Sequence, residues 1–108
     1  MSTFLELDGR DKWAPPLHQA VKANDKTLIL DLIEKGVDIN DCDCCGQTPL
    51  HWAVQYGLQD IIELLIQKGS FVNAIDKNGR TPLYFSVKNN HIKSVNSLIL
   101  AKADVNRT

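Results

Sequence analysis

Between residues 59 and 68 the chain alternates apolar and polar positions with the period of a helix. Ile61, Ile62, Leu64, Leu65 and Ile66 form the apolar stripe, and Asp60, Glu63 and Gln67 are left for solvent. Similar stripes lie one period of 33 residues before and after, so the pattern predicts helices over 26–35, 59–68 and 92–101. A shorter helix precedes each, near 16–23, 49–56 and 82–89. Thr48-Pro49 and Thr81-Pro82 are helix starts, because Thr caps exposed N–H groups and Pro at the first helical position loses no needed donor. Pro15-Pro16 is a weaker start without the hydroxyl. The short helices stop at Ala23-Asn24, Tyr56-Gly57 and Asn89-Asn90, where Asn or Gly tolerates a left-handed backbone. Gly36 and Gly69 end two of the longer helices, and Lys102 in the third predicts a looser end.

The periodicity reaches individual residues. Pro16-Leu17-His18-Gln19-Ala20-Val21 returns as Pro49-Leu50-His51-Trp52-Ala53-Val54 and then as Pro82-Leu83-Tyr84-Phe85-Ser86-Val87. Leu32-Ile33, Leu65-Ile66 and Leu98-Ile99 share one register, as do Asn40, Asn73 and Asn106. Between the helix pairs lie turns of Asp, Asn and Gly type flanked by short extended stretches, Asp76-Lys77-Asn78-Gly79 being the clearest. One such unit has an apolar face on each side and cannot fold alone, so the units must stack. The expected organisation is a leader or cap over 1–12, with Phe4, Leu5 and Leu7 covering the first unit, then units over 13–45, 46–78 and 79–108, the last incomplete.

This pattern resembles the ankyrin repeat, whose period is about 33 residues and whose signature is Thr-Pro-Leu-His-x-Ala. Thr48-Pro49-Leu50-His51-Trp52-Ala53 matches the signature fully; Pro15 to Ala20 misses one position and Thr81 to Ser86 misses two. The resemblance implies an all-α ankyrin-repeat solenoid, each repeat a hairpin loop plus two antiparallel helices. It also implies a protein–protein interaction scaffold or adaptor that binds through hairpin tips and the concave surface of the first helices. Carried onto this sequence, the tips are Cys44, Cys45, Gln47, Lys77, Asn78 and Arg80. The concave residues are Gln19, Lys22, Trp52, Gln55, Tyr56, Phe85, Lys88 and Asn89. Helix geometry gives the same face: with Leu50 and Val54 turned to the core, Trp52, Gln55 and Tyr56 fall on the other side of their helix. Trp52, Tyr56 and Phe85 would then form an aromatic patch, the other reading for Trp52 and Phe85 being packing between neighbouring helices. His18 and His51 resemble the signature His that braces the loop and the next repeat. Asn40 and Asn106 resemble asparagines hydroxylated in ankyrin repeats, or else brace their loops.

Composition narrows the function classes. Twelve Lys and Arg against thirteen Asp and Glu give a net charge of −1, which speaks against nucleic-acid binding. The distribution is polar: residues 1–75 carry 6 basic and 11 acidic side chains, residues 76–108 carry 6 and 2. No apolar run approaches the roughly 20 residues of a membrane helix, and Met1 to Asp8 has no signal-peptide core. With three cysteines, an odd number, this points to an intracellular chain, cytoplasmic or nuclear, in a reducing compartment. Cys42, Cys44 and Cys45 crowd into four positions with no second pair elsewhere, unlike a zinc site. A thiol- or metal-responsive sensor built on that loop is nevertheless the competing reading. Another is the substrate-recruiting region of a larger regulatory protein, such as a ubiquitin-ligase adaptor. No nucleophile–base–orienter set and no phosphate loop is visible, so neither an enzyme nor a cofactor is expected. The apolar Leu100-Ala101 stands where Glu34-Lys35 and Gln67-Lys68 stood, which suggests a piece of a longer repeat protein. The alternative is a monomer able to self-associate through that open repeat.

Overall fold

The computed structural model describes residues 14–101. Six helices follow one another: α1 (Pro16–Lys22), α2 (Lys26–Glu34), α3 (Pro49–Gln55), α4 (Gln59–Gln67), α5 (Pro82–Lys88) and α6 (Ile92–Leu100). Each ends one residue earlier than its periodicity predicts, because the last residue of the stripe serves as C-cap. The short helices α1, α3 and α5 pack side by side, each backed by its own partner α2, α4 or α6.

Local chemistry sets these boundaries. Thr48 and Thr81 accept the N–H of His51 and Tyr84 in their side-chain oxygens, while Pro15 offers α1 no side-chain cap. Asn24, Gly57 and Asn90 take the expected left-handed turn, at φ 54°, 67° and 55°. After each turn the chain reverses, and the N–H of Asp25, Leu58 and His91 bonds back to Ala20, Ala53 and Ser86.

The core is a row of small clusters shared between neighbours. Leu17, Ala20 and Val21 of α1 meet Leu50, Ala53 and Val54 of α3, with Ile29, Ile61, Ile62, Leu65 and Leu98 from the second helices behind them. Burial of such side chains stabilises by roughly 1.5–3 kcal/mol each. The hairpins are tight turns rather than strand pairs. Gly46 N–H bonds to Asp43 C=O, and Asp43 N–H to Gln47 C=O. Among the described residues no strand forms, so the short extended stretches are absent as ladders. The leader over 1–12, the end near Lys102 and Asn106 lie outside the described residues.

Candidate functional site

Each of the two hairpins among the described residues is folded around one aspartate. Asp43 Oδ1 accepts the N–H of Cys45 and of Gln47, both at 2.9 Å. Asp76 Oδ1 does the same for Asn78 and Arg80. The second oxygens tie hairpin to helix and hairpin to hairpin. Asp43 Oδ2 accepts from the Trp52 indole at 2.8 Å; Asp76 Oδ2 accepts from Gln47 Nε2 at 3.2 Å and from Arg80 Nε at 3.0 Å. Burial works to raise the Asp76 pKa, but its bonds from the Arg80 N–H, Gln47, the Asn78 N–H and the Arg80 side chain hold it below the ordinary value of 3.8.

The histidines continue this layer. His51 Nδ1 accepts the Thr48 N–H at 3.0 Å, which leaves the proton on Nε2 to donate to the Arg80 carbonyl at 2.9 Å. His18 Nε2 donates likewise to the Gln47 carbonyl at 2.7 Å. Its Nδ1 is buried with no partner, because Pro15 has neither N–H nor hydroxyl where Thr48 has both. Burial lowers the pKa of both imidazoles, so both stay neutral at pH 7. They brace loops, as the resemblance implies.

This layer absorbs several residues expected at the surface. Trp52 is 1% exposed and Phe85 5% exposed, so neither forms part of an aromatic surface patch. The wheel argument assumed one core, whereas α3 is packed on more than one side: the face opposite Leu50 meets the hairpin and α1. Trp52 stands edge-on to His18 at 5.2 Å, and Phe85 to His51 at 6.1 Å with the Arg80 guanidinium above it at 4.8 Å. Gln47 is also buried, its amide spent on Asp76 and Gln55. Gln55 and Arg80 are half-buried for the same reason.

A surface remains above the buried layer. Gln19, Lys22, Tyr56, Lys88 and Asn89 are exposed along the first helices and their caps, and Cys44, Lys77 and Asn78 along the tips, with Cys45 half-buried. Tyr56 is 43% exposed and stands edge-on against Trp52 at 6.1 Å. It borders a cleft of about 290 Å³ between repeats, lined by Val54, Gln55, Gly57, Asn89 and His91. The tips form a continuous ledge, since Lys77 N–H bonds to the Cys45 carbonyl at 3.0 Å. Gly46 permits this approach: at φ +76°, a Cβ there would sit 3.0 Å from the Lys77 nitrogen. A broader groove of about 600 Å³ crosses the second helices, its lining including Asp60, Glu63, Leu64 and Leu100.

The cysteines do not converge. Cys44 and Cys45 sulfurs lie 4.0 Å apart, while the Cys42 thiol turns to the Asn40 carbonyl at 3.8 Å. Among the described residues no three His, Cys, Asp or Glu side chains gather as metal ligands. Partial burial and the carboxylates of Asp41, Asp43 and Asp38 push the Cys42 thiol up, which disfavours its thiolate. Asn40 bridges repeats: its Oδ1 accepts the Phe71 N–H at 2.7 Å and its Nδ2 lies 3.5 Å from the Gly69 carbonyl.

The sequence matches the family described as ankyrin repeats, three copies, over residues 17–108. The chain belongs to the ankyrin-repeat family. No curated protein matches it. Ankyrin repeats are protein–protein interaction modules, and the family is generally non-enzymatic. Among the described residues no helix is long and apolar enough to cross a membrane.

Proposed function

We propose that this ankyrin-repeat chain is an intracellular scaffold or adaptor that holds a partner protein along its first-helix face and hairpin tips. The observation that carries this reading is the two-layer build of that face. A buried lattice of Asp43, Gln47, His51, Trp52 and Asp76 fixes the backbone, and side chains with varied chemistry stand above it. A rigid support of this kind lowers the ordering cost of binding. Tyr56 is the anchor, a half-exposed aromatic beside a cleft, and Gln19, Lys22, Gln55, Lys88, Asn89, Cys44, Cys45, Lys77, Asn78 and Arg80 supply polar and charged contacts around it. Trp52, Phe85 and Gln47 support the face from beneath. The units 13–45, 46–78 and 79–108 act as one binding surface. Asn40 braces its loop, so its hydroxylation, like that of Asn106, is not needed for the reading.

Comparative capture from cell lysate tests the proposal. Tyr56→Ala and Lys88→Glu chains, checked for unchanged helicity, are set beside the native chain. A partner held through this face is lost or weakened about 30-fold by Tyr56→Ala, the scale of an aromatic hot spot. Equal capture by all three chains would move the site to the second helices.

A further inference from the structure

Resting on the reading that a partner protein lies along the first helices and hairpin tips, we propose that this face takes an extended, acidic segment of that partner, whose carboxylates bracket one apolar side chain. The ionised groups of the chain are sorted by face. The first helices α1, α3 and α5 carry Lys22 and Lys88 and no carboxylate, whereas the second helices α2, α4 and α6 carry Asp31, Glu34, Asp60 and Glu63 against Lys26 and Lys93. The tips add Lys77, which is exposed. The aspartates within the tips, Asp43 and Asp76, are buried and spent on N–H groups of their own loops, and Arg80 is spent on Asp76. Asp38 and Asp41, on the arm leading into the first tip, each accept an N–H of their own turn, and Asp25 caps α2. Among the described residues no carboxylate pairs with Lys77 or Lys88, while Lys35 at the end of α2 pairs with Asp31 at 3.0 Å.

Spacing sets the form of the segment. Lys22, Gln55 and Lys88 are the last residues of α1, α3 and α5, one per repeat in a single register. Packed neighbouring helices lie about 8–10 Å apart, which separates Lys22 from Lys88 by roughly 20 Å. An extended chain at about 3.3 Å per residue covers this in about six residues, whereas a helix of that length, at about 1.5 Å per residue, covers less than half of it. Between the lysines stands Tyr56 with its cleft of about 290 Å³. That is room for a single apolar side chain laid against the ring, and it falls below the roughly 300–1,000 Å³ of a small-molecule site. Gln55 stands uncharged between the two lysines, so charge on the bound segment belongs at its ends rather than on every unit. This favours a peptide over a phosphate backbone. The amides of Gln19, Gln55 and Asn89 on the same face offer donors and acceptors to the main chain of such a peptide.

The test is selection on the native chain, under reducing conditions, from a displayed library of random segments of about seven residues, with the selected peptides then synthesised and titrated. The expected result is enrichment of Asp or Glu at two positions about six residues apart with an apolar residue between them, and an affinity that falls as salt is added. Lys88→Glu weakens such a peptide about tenfold. Replacing the matching acidic residue of the peptide by Lys restores binding to the Lys88→Glu chain, which a misfolded chain could not do. Neutral or basic peptides that are nevertheless lost with Tyr56→Ala overturn the acidic segment and leave the binding face standing. Peptides indifferent to both Tyr56→Ala and Lys88→Glu overturn the face as well. A library that yields no binder overturns the proposal, as does a single-stranded oligonucleotide that binds more tightly than the selected peptides.

Discussion

Replacing Pro15 by threonine is expected to stabilise the protein. Pro15 stands at the N-cap of α1 with φ −59° and ψ 157°, close to the −85° and 168° of Thr48 at the same place in the next repeat. Threonine therefore fits without moving the backbone. Its hydroxyl would accept the His18 N–H as Thr48 accepts that of His51, a cap worth about 1 kcal/mol. Its own N–H would reach His18 Nδ1, now buried without a partner, which adds about 1 kcal/mol. Against this stands the loss of proline's restriction of the unfolded chain, about 0.4–1 kcal/mol. The net gain is about 1 kcal/mol, or a rise of about 4–8 °C in Tm for a domain of this size. Urea unfolding followed by circular dichroism measures it. Pro15→Ser should reproduce most of the gain, whereas Pro15→Ala, with the N–H but no hydroxyl, should fall short of it. The reciprocal change, Thr48→Val, should cost about 1 kcal/mol. A Pro15→Thr chain no more stable than native, with Thr48→Val equally silent, would refute the reasoning.

Other outcomes follow from the same geometry. Trp52→Ala should cost about 3–5 kcal/mol, much of a small domain's stability, while Tyr56→Ala should stay within about 0.5 kcal/mol; equal denaturation midpoints would contradict the assigned burial. Gly46→Ala and Gly79→Ala both place a Cβ at positive φ, but only the first meets backbone, so Gly46→Ala should unfold at lower urea than Gly79→Ala. Stability should fall with acid. His18 and His51 have folded pKa values below 6.5, so the unfolded chain takes up their protons first and stability drops as pH falls below 6.5. The lowered Asp76 adds stability that is present above 3.8 and lost as pH falls through its folded value. A urea midpoint that held steady or rose between about pH 7.5 and about pH 5 would contradict this sign.

The architecture is legible in the sequence because its signals are local and repeated. Thr48-Pro49 and Thr81-Pro82 announce helix starts that the hydroxyl bonds realise. Asn24, Gly57 and Asn90 mark turns whose left-handed backbone only a few residues accept. The surface was harder to read, because exposure in a stack depends on neighbours one period away. Trp52 lies opposite Leu50 on its helix and looks solvent-facing until Asp43 and His18 are brought beside it. The aspartates of the hairpins are legible as turn residues, but not as the acceptors that hold hairpin, helix and neighbouring hairpin together. Asp43 sits in an acidic, cysteine-rich run and reads as part of a candidate metal loop. Its recurrence as Asp76, one period on, with Gly46 and Gly79 each three residues later, marks a turn in the sequence, while the bonds it accepts depend on partners in the neighbouring helix and hairpin.

The most direct test of the interaction-module account is chemical-shift mapping of the isotopically labelled chain as a captured partner is added. The account predicts shifts at Gln19, Lys22, Cys44, Tyr56, Lys77, Lys88 and Asn89, the exposed residues of the first-helix face and tips, with the Tyr56→Ala chain silent. Shifts confined to Asp60, Glu63, Leu64 and Leu100 would place the partner in the groove across the second helices and contradict it.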